Sequence, residues 1–436
     1  MIKVSKSLIK PLAASGLTSI LMLVDRVVMN FIPLIFWGVE LAAYWIFLRA
    51  WLFLLMSFEG GVGGKTANQI AKIKANTSTS DLISTLVKKR LFRQIYWGLT
   101  VFIVNAIVVW AVFFYQPFEF KNTEVSTFIL IGIYAACYYV TQLVVYCQRG
   151  IGQIYQGQMF ANAVKLLEIT ALVILPIVGM GILECVLSIT IIRGLAGCFG
   201  LSILFHKIAN TQAKNTVIPR EDETVKTKAQ KSLTLGFVLY PLFPALNNFL
   251  PIFFLSSVLS PILIMQFSIS RLFGRALLQL SQILSRVLWP YLRLKNDALD
   301  FINSFKKIMS SYIIISGLAF LLIISISFLV DGVEFKEVKL DSTLLIIYSF
   351  LAFTMGLIEV FLSMLIAKEK HAIILITRIT LCLSVPFYVW VANTNTSLEL
   401  LGIIMILAEL ITLTMCYLAW LQIIKESGGS QLHDET

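Results

Sequence analysis

Apolar stretches of about 20 residues, the length that crosses a bilayer as a helix, recur along the whole of this chain. Of its 436 residues, 58% are hydrophobic and 14% charged, where a soluble chain carries about 25% charged residues. The runs are continuous and not alternating, so they predict helices and not a β-barrel. The sequence therefore specifies an all-α polytopic membrane protein. Its spans fall near 12–36, 41–62, 94–115, 125–147, 159–179, 183–206, 234–256, 261–290, 308–330, 342–366, 371–392 and 398–422, twelve in all.

An even number of spans puts both termini on one side, and the basic residues say which. The segments on the side of the termini hold 24 lysines and arginines; the opposite loops hold only Lys121, Lys336 and Lys339, and eight more lie within spans. Both termini are expected on the cytoplasmic side. The net charge of +11 belongs to these loops beside anionic lipid, so membrane lipid is the expected partner and nucleic acid is not. Lys3, Lys6 and Lys10 precede an apolar run that contains Asp25 and Arg26 and lacks a small-residue cleavage site, which reads as a retained first span.

Residues 207–233 are polar, contain Pro219 and divide the chain near its middle. They read as a cytoplasmic linker between an N-terminal bundle (1–206) and a C-terminal bundle (234–425), with a cytoplasmic tail at 426–436. Residues 76–93 read as an interfacial helix with Ser80 as its N-cap and Lys88, Lys89, Arg90 and Arg93 as anchors. "EITALVILP" (168–176) and "RITLCLSVP" (378–386) share Ile-Thr and a terminal proline at a 210-residue offset, consistent with duplicated halves.

The eighth span carries three arginines. On a helix of about 100° per residue, Arg271, Arg275, Gln279, Gln282 and Arg286 fall at about 0, 40, 80, 20 and 60°, one narrow face. Arginine in hydrocarbon costs at least ~2.5 kcal/mol, so this stripe must face protein or water. Either acids on neighbouring helices neutralise it, or it lines a cavity for an anionic substrate; the second reading is preferred. Arg26, Arg49, Arg193 and Arg271 lie at related depth, about 12–15 Å from the outer ends of their spans. Ser15, Ser19, Arg26 and Asn30 share a face of span one. Convergence of spans one, two and eight would form a cationic pocket suited to a pyrophosphate, because a guanidinium grips two oxygens at once.

Acids within spans are Asp25, Glu168, Glu359 and Glu409. Lys165 and Glu168, at i and i+3, are expected to pair. Asp25, Glu359 and Glu409 are candidates for a coupling proton or sodium ion, with a counter-ion role open for each. Lys165 and Arg378 are expected to snorkel to the cytoplasmic interface. Gly60, Gly61, Gly63 and Gly64 end span two, and Gly194, Gly197 and Gly200 lie on span six, where both sets permit close helix approach. Pro241, Pro244 and Pro251 break span seven. No CxxC pair, HExxH, Walker A loop, GxSxG or DxD occurs, so neither an enzyme, a metal centre nor a cofactor site is expected.

"SFEGGVGGKTANQIAK" after span two, "QRGIGQIYQGQMFANAVKLLEI" between spans four and five, and "FSISRLFGRALLQLSQILSRVLWPYL" along span eight, with Pro290 ending that helix, resemble segments of polysaccharide flippases. The chain is similar to the O-antigen flippases (Wzx type) of the multidrug/oligosaccharidyl-lipid/polysaccharide exporter superfamily. The resemblance implies a V-shaped, MATE-like pair of six-helix bundles that moves an undecaprenyl-diphosphate-linked oligosaccharide to the periplasmic leaflet by alternating access, alongside a glycan polymerase and other export-pathway proteins. It implies substrate-binding roles for Arg271, within its motif, and for Arg26 and Arg49, by span. Asn30, Arg193, Arg275 and Gln279 join them from the helix faces and depths above. The runner-up is an ion-coupled multidrug exporter of the same superfamily with Asp25 as ion site; a membrane glycan polymerase lacks the outer loop and paired carboxylates it needs.

Overall fold

The computed structural model describes residues 6–59, 80–115, 125–212, 258–293, 298–368, 370–384 and 397–429 without interruption, and single positions within 63–73, 242–256 and 387–394. Among the described residues eleven helices and one short hairpin are resolved. They are α1 (Lys6–Trp37), α2 (Val39–Ser57), α3 (Ser80–Tyr115), α4 (Val125–Gly150), α5 (Ile154–Ile177), α6 (Ile182–Gln212), α7 (Pro261–Arg293), α8 (Ala298–Leu329), α9 (Ser342–Ala367), α10 (His371–Leu383) and α11 (Leu398–Gly429). Nine of these are long and apolar enough to cross a membrane. The chain is an all-α polytopic membrane protein. It divides into two compact units, residues 1–37 with 44–245 and residues 38–43 with 246–436.

Several boundaries differ from those read in the sequence. The expected interfacial segment is not separate from span three over its described residues: α3 runs unbroken from Ser80 to Tyr115, and 76–79 lie outside the described residues. Its first turns carry exposed Lys88, Lys89 and Arg93 beside buried Ile83 and Val87. Those two pack on Ile70, Leu143, Cys147 and Leu204, which ties the amphipathic turns to the bundle instead of the lipid interface. Helix α2 stops at Ser57, before the glycine run. Helix α6 continues to Gln212, so the expected linker loses its first six residues to helix, and 213–233 lie outside the described residues. Helix α7 passes through Pro290 to Arg293. Helix α11 extends to Gly429, into the expected tail. Gly60, Gly61, Gly64, Pro241, Pro244 and Pro386 lie outside the described residues; Pro251 is helical and buried.

In the first unit, small residues set the helix spacing. A Cβ on Gly200 of α6 would lie 2.8 Å from Phe160 and 3.1 Å from Val144, and one on Gly197 3.4 Å from Val140. Glycine lets α6 close on α4 and α5 there. Asn105 of α3 then joins three helices, accepting from the Trp51 indole (2.7 Å) on α2 and donating to the Phe128 carbonyl (3.0 Å) on α4.

The second unit is built on α7 against α9. A Cβ on Gly274 would lie 2.5 Å from the Tyr348 carbonyl oxygen, so the two backbones nearly touch. Phe267 stacks edge-on against Tyr348 at 5.3 Å. An unforeseen hairpin joins α8 to α9, pairing Glu334 with Lys339 and Phe335 with Val338. Its two-residue turn holds Lys336 and Glu337 at positive φ, 48° and 69°, the conformation that matches the twist of a tight hairpin. Gln266 of α7 donates to the Lys339 carbonyl at 2.7 Å, anchoring the hairpin. Asp341 caps α9 by accepting from the Thr343 and Leu344 amides at 2.7 and 3.3 Å.

Candidate functional site

The buried charges of the first unit form one connected chain. Asp25 of α1 takes Arg49 Nη2 of α2 on Oδ2 and Lys165 Nζ of α5 on Oδ1, each at 2.9 Å. Lys165 lies 3.8 Å from Glu168 on its own helix. Glu168 accepts from Arg193 Nε of α6 at 2.7 Å and from the Tyr134 hydroxyl of α4 at 2.8 Å. Arg193 also lies over the Tyr134 and Tyr138 rings, 5.3 and 5.5 Å from their centroids. Five alternating charges thus bind α1, α2, α5 and α6 together. Three are cations and two are anions, so the chain carries one positive charge in excess.

The two ends of this chain differ in access. Arg193 and Glu168 are buried, with side chains 7% and 2% exposed, whereas the Arg49 and Lys165 side chains are each 28% exposed beside an Asp25 at 6%. Cations at mid-span that stay partly exposed meet water or polar groups, not hydrocarbon. Arg193, expected among the substrate-binding arginines, is instead taken up inside the bundle by Glu168 and Tyr134. Lys165, expected to snorkel and to pair first with Glu168, reaches sideways to Asp25.

Above this chain, toward the start of both helices, α1 and α5 share polar contacts. Thr18 donates to Asn162 Oδ1 at 2.8 Å, Asn162 donates to the Ala14 carbonyl at 3.1 Å, and Gln158 donates to Thr18 at 3.1 Å. Residue numbers rise together along both helices, from Thr18–Asn162 to Asp25–Lys165. The helices therefore run parallel, as two odd-numbered spans must. Asn30 donates to the Arg26 carbonyl on its own helix at 2.7 Å. Arg26 is half-buried one position from Asp25, on another face of α1.

The second unit holds the striped helix. Arg271 is buried, with its guanidinium 5.0 Å above the Phe267 ring. Arg275, one turn on, is half-buried. Gln279 is 5% exposed, and neither end of its amide has a hydrogen-bond partner among the described residues. The side chains of Gln282 and Arg286 lie outside the described residues. Away from the stripe, Arg378 of α10 is buried and donates to Glu359 of α9. It does not snorkel, because the half-buried Glu359 carboxylate offers a closer partner than the interface. Glu409 of α11 is 4% exposed, with Oε2 lacking a hydrogen-bond partner among the described residues.

Lys165 is the site residue that the sequence did not single out. Its signal was present: Asp25 lacked a partner on its own helix, and Lys165 was the remaining basic residue on span five. Nothing in one sequence says that spans one and five are neighbours.

No family model matches the chain, and no curated protein sequence does either. Solved structures do. The chain is similar to an inward-facing multidrug resistance MATE family transporter of the MOP superfamily, with TM-score 0.69 at 14% identity over 93% of this chain and 96% of that one. It is similar to an outward-facing multidrug resistance MATE family transporter of the same superfamily, with TM-score 0.60 at 15% identity over 96% and 97%. A third likeness, with TM-score 0.56 at 16% identity over 98% and 99%, is to a MOP superfamily transporter from Pyrococcus furiosus, for which reverse polarity of the binding pocket suggests a different function. At these identities the likeness is one of architecture, and on it the chain has the fold of the MATE transporters of the MOP superfamily.

Proposed function

We infer that the protein is an alternating-access transporter that moves a lipid-linked oligosaccharide, carried on undecaprenyl diphosphate, from the cytoplasmic to the periplasmic leaflet of a bacterial inner membrane. Three things support the reading. The fold is shared with transporters captured facing inward and facing outward. The segments quoted above resemble polysaccharide flippases. The membrane-embedded charge is cationic in excess.

The last observation carries the proposal. In the first unit three cations meet two carboxylates. In the second, Arg271 and Arg275 stand on one face of α7 with Gln279, whose amide is buried without a hydrogen-bond partner among the described residues. A cationic lining recognises a diphosphate through paired charge-assisted hydrogen bonds. It disfavours the organic cations that a multidrug exporter carries. The Pyrococcus furiosus transporter, for which reverse polarity of the binding pocket suggests a different function, supports the idea that one fold can carry pockets of different polarity. In this reading Arg26 and Arg49 in the first unit, and Arg271 and Arg275 in the second, are substrate-binding residues, and Asp25, Glu359 and Glu409 are the acids through which a proton or sodium gradient would act.

Mass spectrometry of lipids that co-purify with the protein tests the proposal. A prenyl-diphosphate glycan is the expected finding. Ordinary phospholipid alone, together with drug hypersensitivity of a deletion strain, would turn the assignment toward multidrug export.

A further inference from the structure

We propose that Arg49 and Lys165 form a diphosphate-binding site in which the Asp25 carboxylate is an internal stand-in for the ligand's anion, displaced when the ligand arrives. The inference rests on the transporter reading above and adds Lys165 to the site, together with a competitive role for Asp25.

The geometry assigns the roles. The two cations sit on the two oxygens of a single carboxylate, Arg49 on Oδ2 and Lys165 on Oδ1, both at 2.9 Å. They come from different helices, α2 and α5, and the acid comes from a third, α1. Two cations on one carboxylate leave a positive charge uncompensated, and Glu168 is already engaged by Arg193. Among the described residues, Arg49 Nη1 is a buried donor with no hydrogen-bond partner. Lys165 has three donors on its ammonium, and more than a quarter of each cationic side chain is exposed while Asp25 is not. The open faces of the site are therefore those of the cations.

A diphosphate brings two or more negative charges to those faces. It offers Arg49 a bidentate partner in place of a single carboxylate oxygen, and Lys165 a second phosphate. Its approach sets it against the Asp25 carboxylate for the same donors, and like charges a few ångströms apart in a poorly solvated site repel. Ligand and Asp25 therefore exclude one another. Asp25 is also the joint that ties α1 to α2 and to α5 at this level. Displacing it releases two interhelical ion pairs together, so occupancy of the site is read out as freedom of α1.

The test is binding of farnesyl diphosphate, inorganic pyrophosphate and farnesol to the full-length protein in lipid nanodiscs, with variants Asp25→Asn, Lys165→Gln and Arg49→Gln. A charge-assisted hydrogen bond is worth ~1.5–3 kcal/mol, so the expected loss in Lys165→Gln and Arg49→Gln is about tenfold or more for both phosphate ligands. Asp25→Asn binds them more tightly than the parent, by roughly fivefold on the same scale. Unchanged or weaker binding in Asp25→Asn, or parental affinity in Lys165→Gln, overturns the inference. Thermal melting of each apo variant identifies misfolding; should Asp25→Asn misfold, Asp25→Ser takes its place with the same expected sign. Binding of farnesyl diphosphate that is insensitive to all three variants sinks this site and leaves the transporter reading intact. Pyrophosphate that follows the variants while the farnesyl chain adds nothing keeps the site and sinks the lipid substrate.

Discussion

Lys165 Nζ lies 2.9 Å from Asp25 on a neighbouring helix and 3.8 Å from Glu168 one turn along its own. The helix-internal pair that spacing alone favours is the longer one. Glu168 is turned instead toward Arg193 and Tyr134, and Lys165 is thereby left to join α5 to α1. One tertiary pairing decides the next along the whole chain of charges.

Breaking the buried end of that chain should cost more than breaking its open end. Glu168→Gln leaves Arg193 buried without its counter-charge, which is expected to cost roughly 3–5 kcal/mol. Detergent-solubilised protein should melt at distinctly lower temperature, whereas Leu166→Ala, at a site 53% exposed, should melt near the parent. Equal melting of Glu168→Gln and the parent would mean that the pair does not hold α5 to α6.

Tyr312 and Gly356 should behave as a matched pair. A Cβ at Gly356 would collide with the hydroxyl of the fully buried Tyr312. Overpacking of this kind costs about 1–3 kcal/mol. Gly356→Ala should lower the melting temperature, and Tyr312→Phe should recover part of the loss by removing the oxygen that collides. Additive effects of the two changes in a double-mutant cycle would refute the contact.

The loop between α8 and α9 should respond to acid. The Ser342 amide donates to Asp331 Oδ1 at 2.8 Å and, with the Ser342 side chain, holds the carboxyl below its ordinary range. A carboxylate depressed in the folded state contributes stability above its unfolded pKa of about 4, which is lost as pH falls through the lower folded value. Hydrogen exchange at the Ser342 amide, corrected for intrinsic rate, should accelerate below that pH in the parent. In Asp331→Asn the exchange should lose this pH dependence.

Export should depend on Arg271 by charge and not by bulk. In a flippase-deficient strain, Arg271→Ala is expected to abolish surface glycan and Arg271→Lys to retain a measurable part of it, since lysine keeps the charge but not the fork. Leu318→Ala, at a site 65% exposed, should export normally. Full export by Arg271→Ala at parental protein level would remove Arg271 from the substrate path.

The apolar runs located the helices well because transfer into a bilayer is a local, additive property of side chains. Ends were harder to read. Pro290 was expected to stop its helix, yet α7 reaches Arg293; a proline within a helix removes one hydrogen bond, which its neighbours can tolerate. Ser80 was expected to open a separate surface helix, yet Ile83 and Val87 pack on Ile70, on Leu143 and Cys147 of α4 and on Leu204 of α6. Glycines were legible as points of close approach, and Gly200 against Phe160 and Val144 is such a point.

By itself the sequence determined that this chain spans a membrane many times, which of its charges are forced into the bilayer, and that those of α7 share one face. Hydrophobic length and helical period suffice for that, since both are read within a single segment. Only the tertiary structure decided that Asp25 faces Arg49 and Lys165, that Arg193 is consumed by Glu168, and that Arg378 turns inward to Glu359. Ion pairing in a poorly screened interior falls off within a few ångströms and hangs on which helices are neighbours, and no segment carries that information alone.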